Sequence, residues 1–173
     1  EGAFPDVFEE LFGDWLAPAG RRCLISGMAG SQQGWVEAPY CPCPADAAAI
    51  ALRVVPVDEV DRVDMVPGLS VEQDGRPDVM RGEETQLVGL LEAVPGGSQL
   101  ACLPGTHSKW VDVHERRVMR IRTYMTGELY SLLRGHSVLG ALMDRDDSRF
   151  DGEAFDAGLR RSGEPGGLAH QLF

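Results

Sequence analysis

The chain has 173 residues, with 27 acidic and 16 basic side chains and a formal net charge of -11. An acidic chain without a clustered Lys/Arg run excludes nucleic-acid or anionic-membrane binding as its main activity, since both depend on counterion release by a dense cationic patch. No apolar stretch reaches the roughly 18 residues of a membrane-spanning helix, and a hydrophobic content of 43% is enough to bury a core.

Fifteen of the basic residues are arginine and one, Lys109, is lysine; asparagine is absent. Codon bias toward arginine is the simplest source of that skew. The chain begins at Glu1 and almost inside a helical pattern, so it is expected to be an internal piece of a longer protein.

Residues 4–17 predict an amphipathic helix. Phe4, Phe8, Leu11 and Trp15 recur at helical spacing, Pro5 suits a first turn, and Pro18 with Gly20 ends the run. The apolar triplet Cys23–Ile25 reads as a strand feeding the glycine loop Gly27-Met-Ala-Gly-Ser31. Residues 38–44 are too rich in proline for regular structure. They carry Cys41 and Cys43, one residue apart and with no second pair, whereas a zinc site wants pairs spaced by two to four residues. No metal site is expected from protein ligands, and four unpaired cysteines fit a reduced, cytoplasmic protein.

Val63–Val66 is a second short strand, closed by Pro67-Gly68. Arg76–Met80 leads into a helix over residues 82–93, with Leu87, Val88, Leu90 and Leu91 as its apolar positions. Pro95-Gly-Gly97 ends that helix and marks the expected boundary between a first domain, 1–95, and a second, 98–173. Beyond it, Leu100–Leu103, Lys109–His114 and Val118–Thr123 are short alternating runs joined by tight turns, which predicts a three-stranded antiparallel meander. Helices are expected over 127–134, 137–143 and 151–161.

Four segments could carry chemistry. Arg81-Gly-Glu-Glu-Thr-Gln86 sits at the mouth of a helix. Glu83 and Glu84 there either stabilise the helix dipole or supply a general base, with Arg81 as the fork for an anionic substrate. Pro104-Gly-Thr-His-Ser-Lys-Trp110 occupies the first hairpin turn. It is either an ordinary turn or a phosphate cradle built from Gly105, Thr106, His107, Ser108 and Lys109, which combine exposed amides, hydroxyls and a point charge. It lacks the strand–GxxxxGK[ST]–helix order of a Walker loop. Strand alternation leaves open whether the Lys109 side chain faces the turn. Met125-Thr-Gly-Glu-Leu129 opens the next helix, with Thr126 as an N-cap or, together with Glu128, part of an anion or sugar site. In Gly27–Trp35, the glycines turn the chain, and Ser31, Gln32 and Trp35 either pack or line a sugar pocket.

Together these segments resemble the 2-keto-3-deoxygalactonate kinase family. Gly27-Met28…Gly30-Ser31…Gly34-Trp35…Ala38-Pro39-Tyr40, Val79-Met-Arg-Gly-Glu-Glu-Thr-Gln86, Pro104–Trp110 and Met125–Leu129 follow one another in family order over residues 22–130. The resemblance implies an α/β chain of the actin-like ATPase (ribonuclease H-like) fold, two-domain and here incomplete at both ends. It implies ATP-dependent phosphorylation of the terminal hydroxyl of 2-dehydro-3-deoxy-D-galactonate in galactonate catabolism, with ATP and Mg²⁺ as cofactors and a sugar acid as partner. By analogy with related sugar kinases it also implies Glu83 as base, with Glu84 the near rival. The gluconate epimer is an alternative substrate, a non-catalytic ligand-binding or oligomerising module of the same scaffold is an alternative role, and a homodimer is the assembly considered for either. The 173-residue chain alone is expected to have little kinase activity.

Overall fold

A computed structural model describes residues 4–141, 143 and 150–172. Its contacts divide the chain into two compact units, 1–130 and 131–173. In the first unit, helix α1 (Phe4–Leu16) forms where the 3.6-residue period demands it. It buries Phe8 and Leu16 against Val57, Val63 and Met65, with Trp35 packed alongside. Two aromatic contacts fix that packing: Phe4 stacks on Trp35 at 5.9 Å, and Phe8 meets the same ring at 5.8 Å.

Three small sheets follow. Strand β1 (Cys23–Ile25) pairs in parallel with β4 (Val63–Met65), which pairs antiparallel with β3 (Val55–Pro56). Every residue of β4 is buried, as a central strand requires. The second sheet joins β2 (Cys41–Pro42) in parallel to β5 (Leu69–Gln73), which turns back antiparallel as β6 (Arg76–Met80). The third is the expected meander, β7 (Ser98–Leu103), β8 (His107–His114) and β9 (Arg117–Met125).

Several elements differ from the sequence-based expectation. Residues 38–44 hold the two-residue strand β2 despite their prolines, because the Cys41 and Cys43 amides donate to Gly68 and Ser70 across the sheet edge at 2.8 Å each. Helix α2 (Ala47–Ala51) was not foreseen; Asp46 caps it by accepting from the Ala49 amide at 2.9 Å. The β5–β6 hairpin was also not foreseen, although Asp74-Gly75, both at positive φ, is a two-residue turn signal. Its polar residues hid the alternation.

Helix α3 (Glu83–Ala93) buries Glu84, Leu87 and Leu91 along one stripe. Leu87 and Leu91 join Cys41, Leu69, Met80, Val111, Val113 and Ile121 in one core, which therefore runs across the Pro95–Gly97 turn. The second and third sheets meet at an antiparallel bridge between Ala45 and Val118. Helix α4 (Gly127–His136) begins in the first unit and ends in the second.

In the second unit, the helix expected over 137–143 is a 3-10 turn at Val138–Ala141, and residue 142 lies outside the described residues. Helix α5 (Gly152–Ser162) is capped by Asp151, and a short α6 (Leu168–Gln171) follows. The Gln171 carbonyl accepts from Arg161 Nε at 3.0 Å.

Candidate functional site

Two clusters emerge, each assembled from two of the four segments. The first forms where the Gly27–Ser31 turn meets the start of α3. Gly27 and Gly82 both have positive φ, 95° and 108°, and a Cβ on Gly82 would lie 3.3 Å from the Gly27 Cα. Only glycine combines that dihedral with that approach without strain. A Cβ on Gly30 would likewise lie 2.9 Å from Met65 Cγ and 3.0 Å from Arg81 Nη1.

Arg81 is held over this turn. Its Nη2 donates to the Ala38 carbonyl at 2.7 Å, and its guanidinium carbon sits 4.4 Å from the centroid of the Tyr40 ring, a cation–π contact. Its Nε and Nη1 are buried without a protein partner, as is Ser31 Oγ. Buried donors without a protein partner are costly unless water or a ligand meets them.

The two carboxylates are used differently. Glu83 Oε2 accepts from the Arg81 amide at 3.1 Å, and Glu83 remains half-buried. Glu84 has no exposed surface. Its Oε2 accepts from the Gly82 amide at 2.6 Å, and its Oε1 is buried without a partner. Burial raises the Glu84 pKa, the neighbouring Glu83 charge adds to that, and the backbone amides and Arg81 oppose it. The two carboxylates therefore differ in accessibility, Glu83 half-buried and Glu84 withdrawn from solvent.

The second cluster joins the hairpin turn to the start of α4. The Gly127 and Glu128 amides donate to the Gly105 and Thr106 carbonyls at 3.2 and 3.0 Å. Ser108 Oγ and Thr126 Oγ1 share a hydrogen bond of 2.5 Å, and Thr126 Oγ1 also donates to the Gly105 carbonyl at 3.3 Å. His107 Nε2 pairs with Glu128 Oε2 at 2.5 Å. A Cβ on Gly127 would lie 2.6 Å from the Gly105 carbonyl oxygen, so the close approach of turn and helix requires glycine. A cleft of about 530 Å³, lined by Cys102, Ser108, Trp110, Arg122, Tyr124 and Thr126, adjoins this cluster.

Two residues from the sequence analysis lie elsewhere. Trp35 packs on Phe4 and Phe8 and donates its Nε1–H to Glu59 Oε2 at 3.1 Å. Lys109 is buried on the opposite face of β8 from Ser108, donating to the Val79 carbonyl at 2.6 Å and to Thr123 Oγ1 at 2.8 Å. Asp78 and Thr123, which complete that contact, escaped sequence reasoning because no motif marks them. Glu83, Glu84, Asp78 and Glu128, the carboxylates around both clusters, are each bonded to a backbone amide or a side chain. They do not form a ready Mg²⁺ cage.

The family model described as 2-keto-3-deoxy-galactonokinase matches residues 1–173. A Rhizobium meliloti (strain 1021) protein named a probable 2-dehydro-3-deoxygalactonokinase, DgoK1, is 44% identical over 158 residues, covering 90% of this chain and 52% of that protein. The Escherichia coli (strain K12) 2-dehydro-3-deoxygalactonokinase is 40% identical over 167 residues, covering 96% of this chain and 55% of that protein. A crystal structure of a Sinorhizobium meliloti protein, assigned provisionally as a 2-dehydro-3-deoxygalactonokinase, superposes with a TM-score of 0.81 at 41% identity, covering 92% of this chain and 55% of that one. The chain thus spans about half the length of the relatives it matches. With its four segments gathered into two glycine-dependent clusters, it belongs to the 2-keto-3-deoxy-galactonokinase family.

Proposed function

We propose that this chain carries the acceptor-side and phosphate-side segments of an ATP-dependent kinase for the terminal hydroxyl of 2-dehydro-3-deoxy-D-galactonate, on an actin-like ATPase scaffold. The observation that carries this reading is the pairing itself: one cluster offers a half-buried carboxylate beside a guanidinium whose Nε and Nη1 have no protein partner, and the other a braced glycine turn.

Glu83 orients the sugar hydroxyl and takes its proton as the hydroxyl oxygen attacks the γ-phosphorus of ATP; the bond to the β–γ bridging oxygen breaks and ADP leaves. Glu83 Oε2 stays on the Arg81 amide, which fixes the carboxylate's rotamer. Arg81 Nη1 or Nε donates a single charge-assisted hydrogen bond to the sugar acid's carboxylate, with Ser31 Oγ as a second donor. Reaching them requires the Gly30–Ser31 backbone to yield, since these atoms are buried.

The turn Gly105–Ser108 presents its amides and the Thr106 hydroxyl to the phosphates, while the Ser108–Thr126 hydroxyl pair just ahead of α4 and Glu128 in its first turn brace it. Mg²⁺, when bound with ATP, would neutralise charge on its phosphates.

The test is an ATP-consumption assay, with both 2-keto-3-deoxy epimers, on a full-length kinase carrying this segment. Higher kcat/KM on the galactonate epimer is expected. ATP consumption with neither epimer would contradict the reading.

A further inference from the structure

Lys109 is the only lysine in the chain, and it is nearly fully buried, at 7% exposure. A buried ammonium is unfavourable unless its donors are satisfied. Here two of them are, by acceptors on two different strands: the Val79 carbonyl on β6 at 2.6 Å and Thr123 Oγ1 on β9 at 2.8 Å.

The Thr123 hydroxyl has a single proton, and it goes to Asp78 Oδ1 at 2.5 Å, which leaves an oxygen lone pair for the lysine. The Thr123 amide donates to Asp78 Oδ2 at 2.8 Å. Asp78 thus balances the ammonium through one hydroxyl, and the four residues close a ring across β6, β8 and β9.

The ring's position in the chain gives it meaning. Val79 lies two residues before Arg81, and Lys109 two residues after His107. The ring therefore spans the strand that delivers Arg81–Glu83 and the strand that leaves the Gly105–Ser108 turn. These strands belong to separate hydrogen-bonded sheets. A compact ammonium can serve two diverging acceptors, whereas a planar guanidinium fork directs its donors into one plane. In a chain with fifteen arginines, that accounts for a lysine at this position.

We propose that Lys109 is a positioning residue that locks the acceptor-side strand to the phosphate-side strand and keeps the two clusters in register. The lock stands on geometry alone, and its catalytic consequence rests on the kinase reading above.

Because Lys109 is the only lysine, an amine-acylating reagent such as N-hydroxysuccinimidyl acetate reports on it site-specifically, apart from the N-terminal amine. Peptide mass spectrometry should show Lys109 acylating at least about 10-fold more slowly in the native chain than in the urea-unfolded chain, with Thr123→Val and Asp78→Asn narrowing that gap. Equal rates in native and unfolded chains would overturn the lock.

In a full-length kinase carrying this segment, Thr123→Val and Lys109→Arg should each lower kcat about 10-fold while changing both KM values less than about 3-fold. An unchanged kcat in Thr123→Val, with only the KM for ATP raised in Lys109→Arg, would make Lys109 a direct phosphate ligand and overturn the positioning role. If the unsubstituted enzyme phosphorylates no sugar acid, the kinase reading fails and the acylation rates alone decide the lock.

Discussion

The fully buried Glu84 carboxylate accepts the Gly82 amide at 2.6 Å, reaching back two residues to satisfy a donor just ahead of α3. Gly82 has no side chain to cap the helix, so Glu84 ties down this end of α3 from inside. The arrangement leaves Glu84 Oε1 buried and unpaired.

A pH dependence follows. Burial lifts the Glu84 pKa above its ordinary value of 4.5, so the native chain keeps this proton where the unfolded chain has lost it. Stability rises with pH only where the unfolded state binds more protons, and here the native state does. Glu84 therefore costs stability as the pH climbs from its ordinary value through its raised one. The Tm of Glu84→Gln should gain on wild type as the pH is raised from about 4 to about 8. A Tm difference that does not change with pH would contradict this.

The hydroxyl pair that braces the phosphate-side turn is open to a double-mutant cycle. Ser108 is buried, and its Oγ lies 2.5 Å from Thr126 Oγ1. Ser108→Ala should destabilise the chain by about 1 kcal/mol, and adding Thr126→Ala should cost less than the sum of the two single changes. Denaturant unfolding of the four proteins checks this. Strict additivity would mean that the hydroxyls do not interact.

The β8–β9 turn carries a removable strain. Glu115 and Arg116 sit at φ values of 47° and 60°, where side chains other than glycine, asparagine or aspartate are disfavoured. Arg116→Gly should raise stability by roughly 1 kcal/mol, the cost of holding a side chain in the left-handed region. A loss of stability in the same unfolding experiment would show that Arg116 is held by something other than the turn's needs.

Much of the fold was legible because its periodicity is strong. The spacing of Phe4, Phe8, Leu11 and Trp15 predicts α1, and the alternation around Val111, Val113 and Ile121 predicts the meander. The missed elements are short or polar. β2 and β3 have two residues each, and β5–β6 interleaves Glu72, Gln73 and Arg76 with its apolar positions, so no period stands out. The four segments were legible through their glycines. Gly82 and Gly127 prove to be the positions where a Cβ would press on the partner segment, at 3.3 and 2.6 Å. The partners of Lys109 were not legible. A cross-strand ring through Val79, Asp78 and Thr123 depends on how two sheets meet, which no local spacing encodes.

The same limit explains the different surroundings of Glu83 and Glu84. Both lie in the first turn of a helix, where dipole stabilisation and catalysis predict the same residues. Only the buried stripe Glu84–Leu87–Leu91 separates them, by withdrawing one carboxylate from solvent and leaving the other half-buried.

The central claim is that Glu83 acts on the sugar hydroxyl. The most direct measurement is the rate of ATP consumption with 2-dehydro-3-deoxy-D-galactonate by Glu83→Gln, in a full-length kinase carrying this segment and at saturating substrates. A fall of about 100-fold or more in kcat, with the fold intact by circular dichroism, is the predicted result. A rate within a few-fold of the unsubstituted enzyme would contradict it.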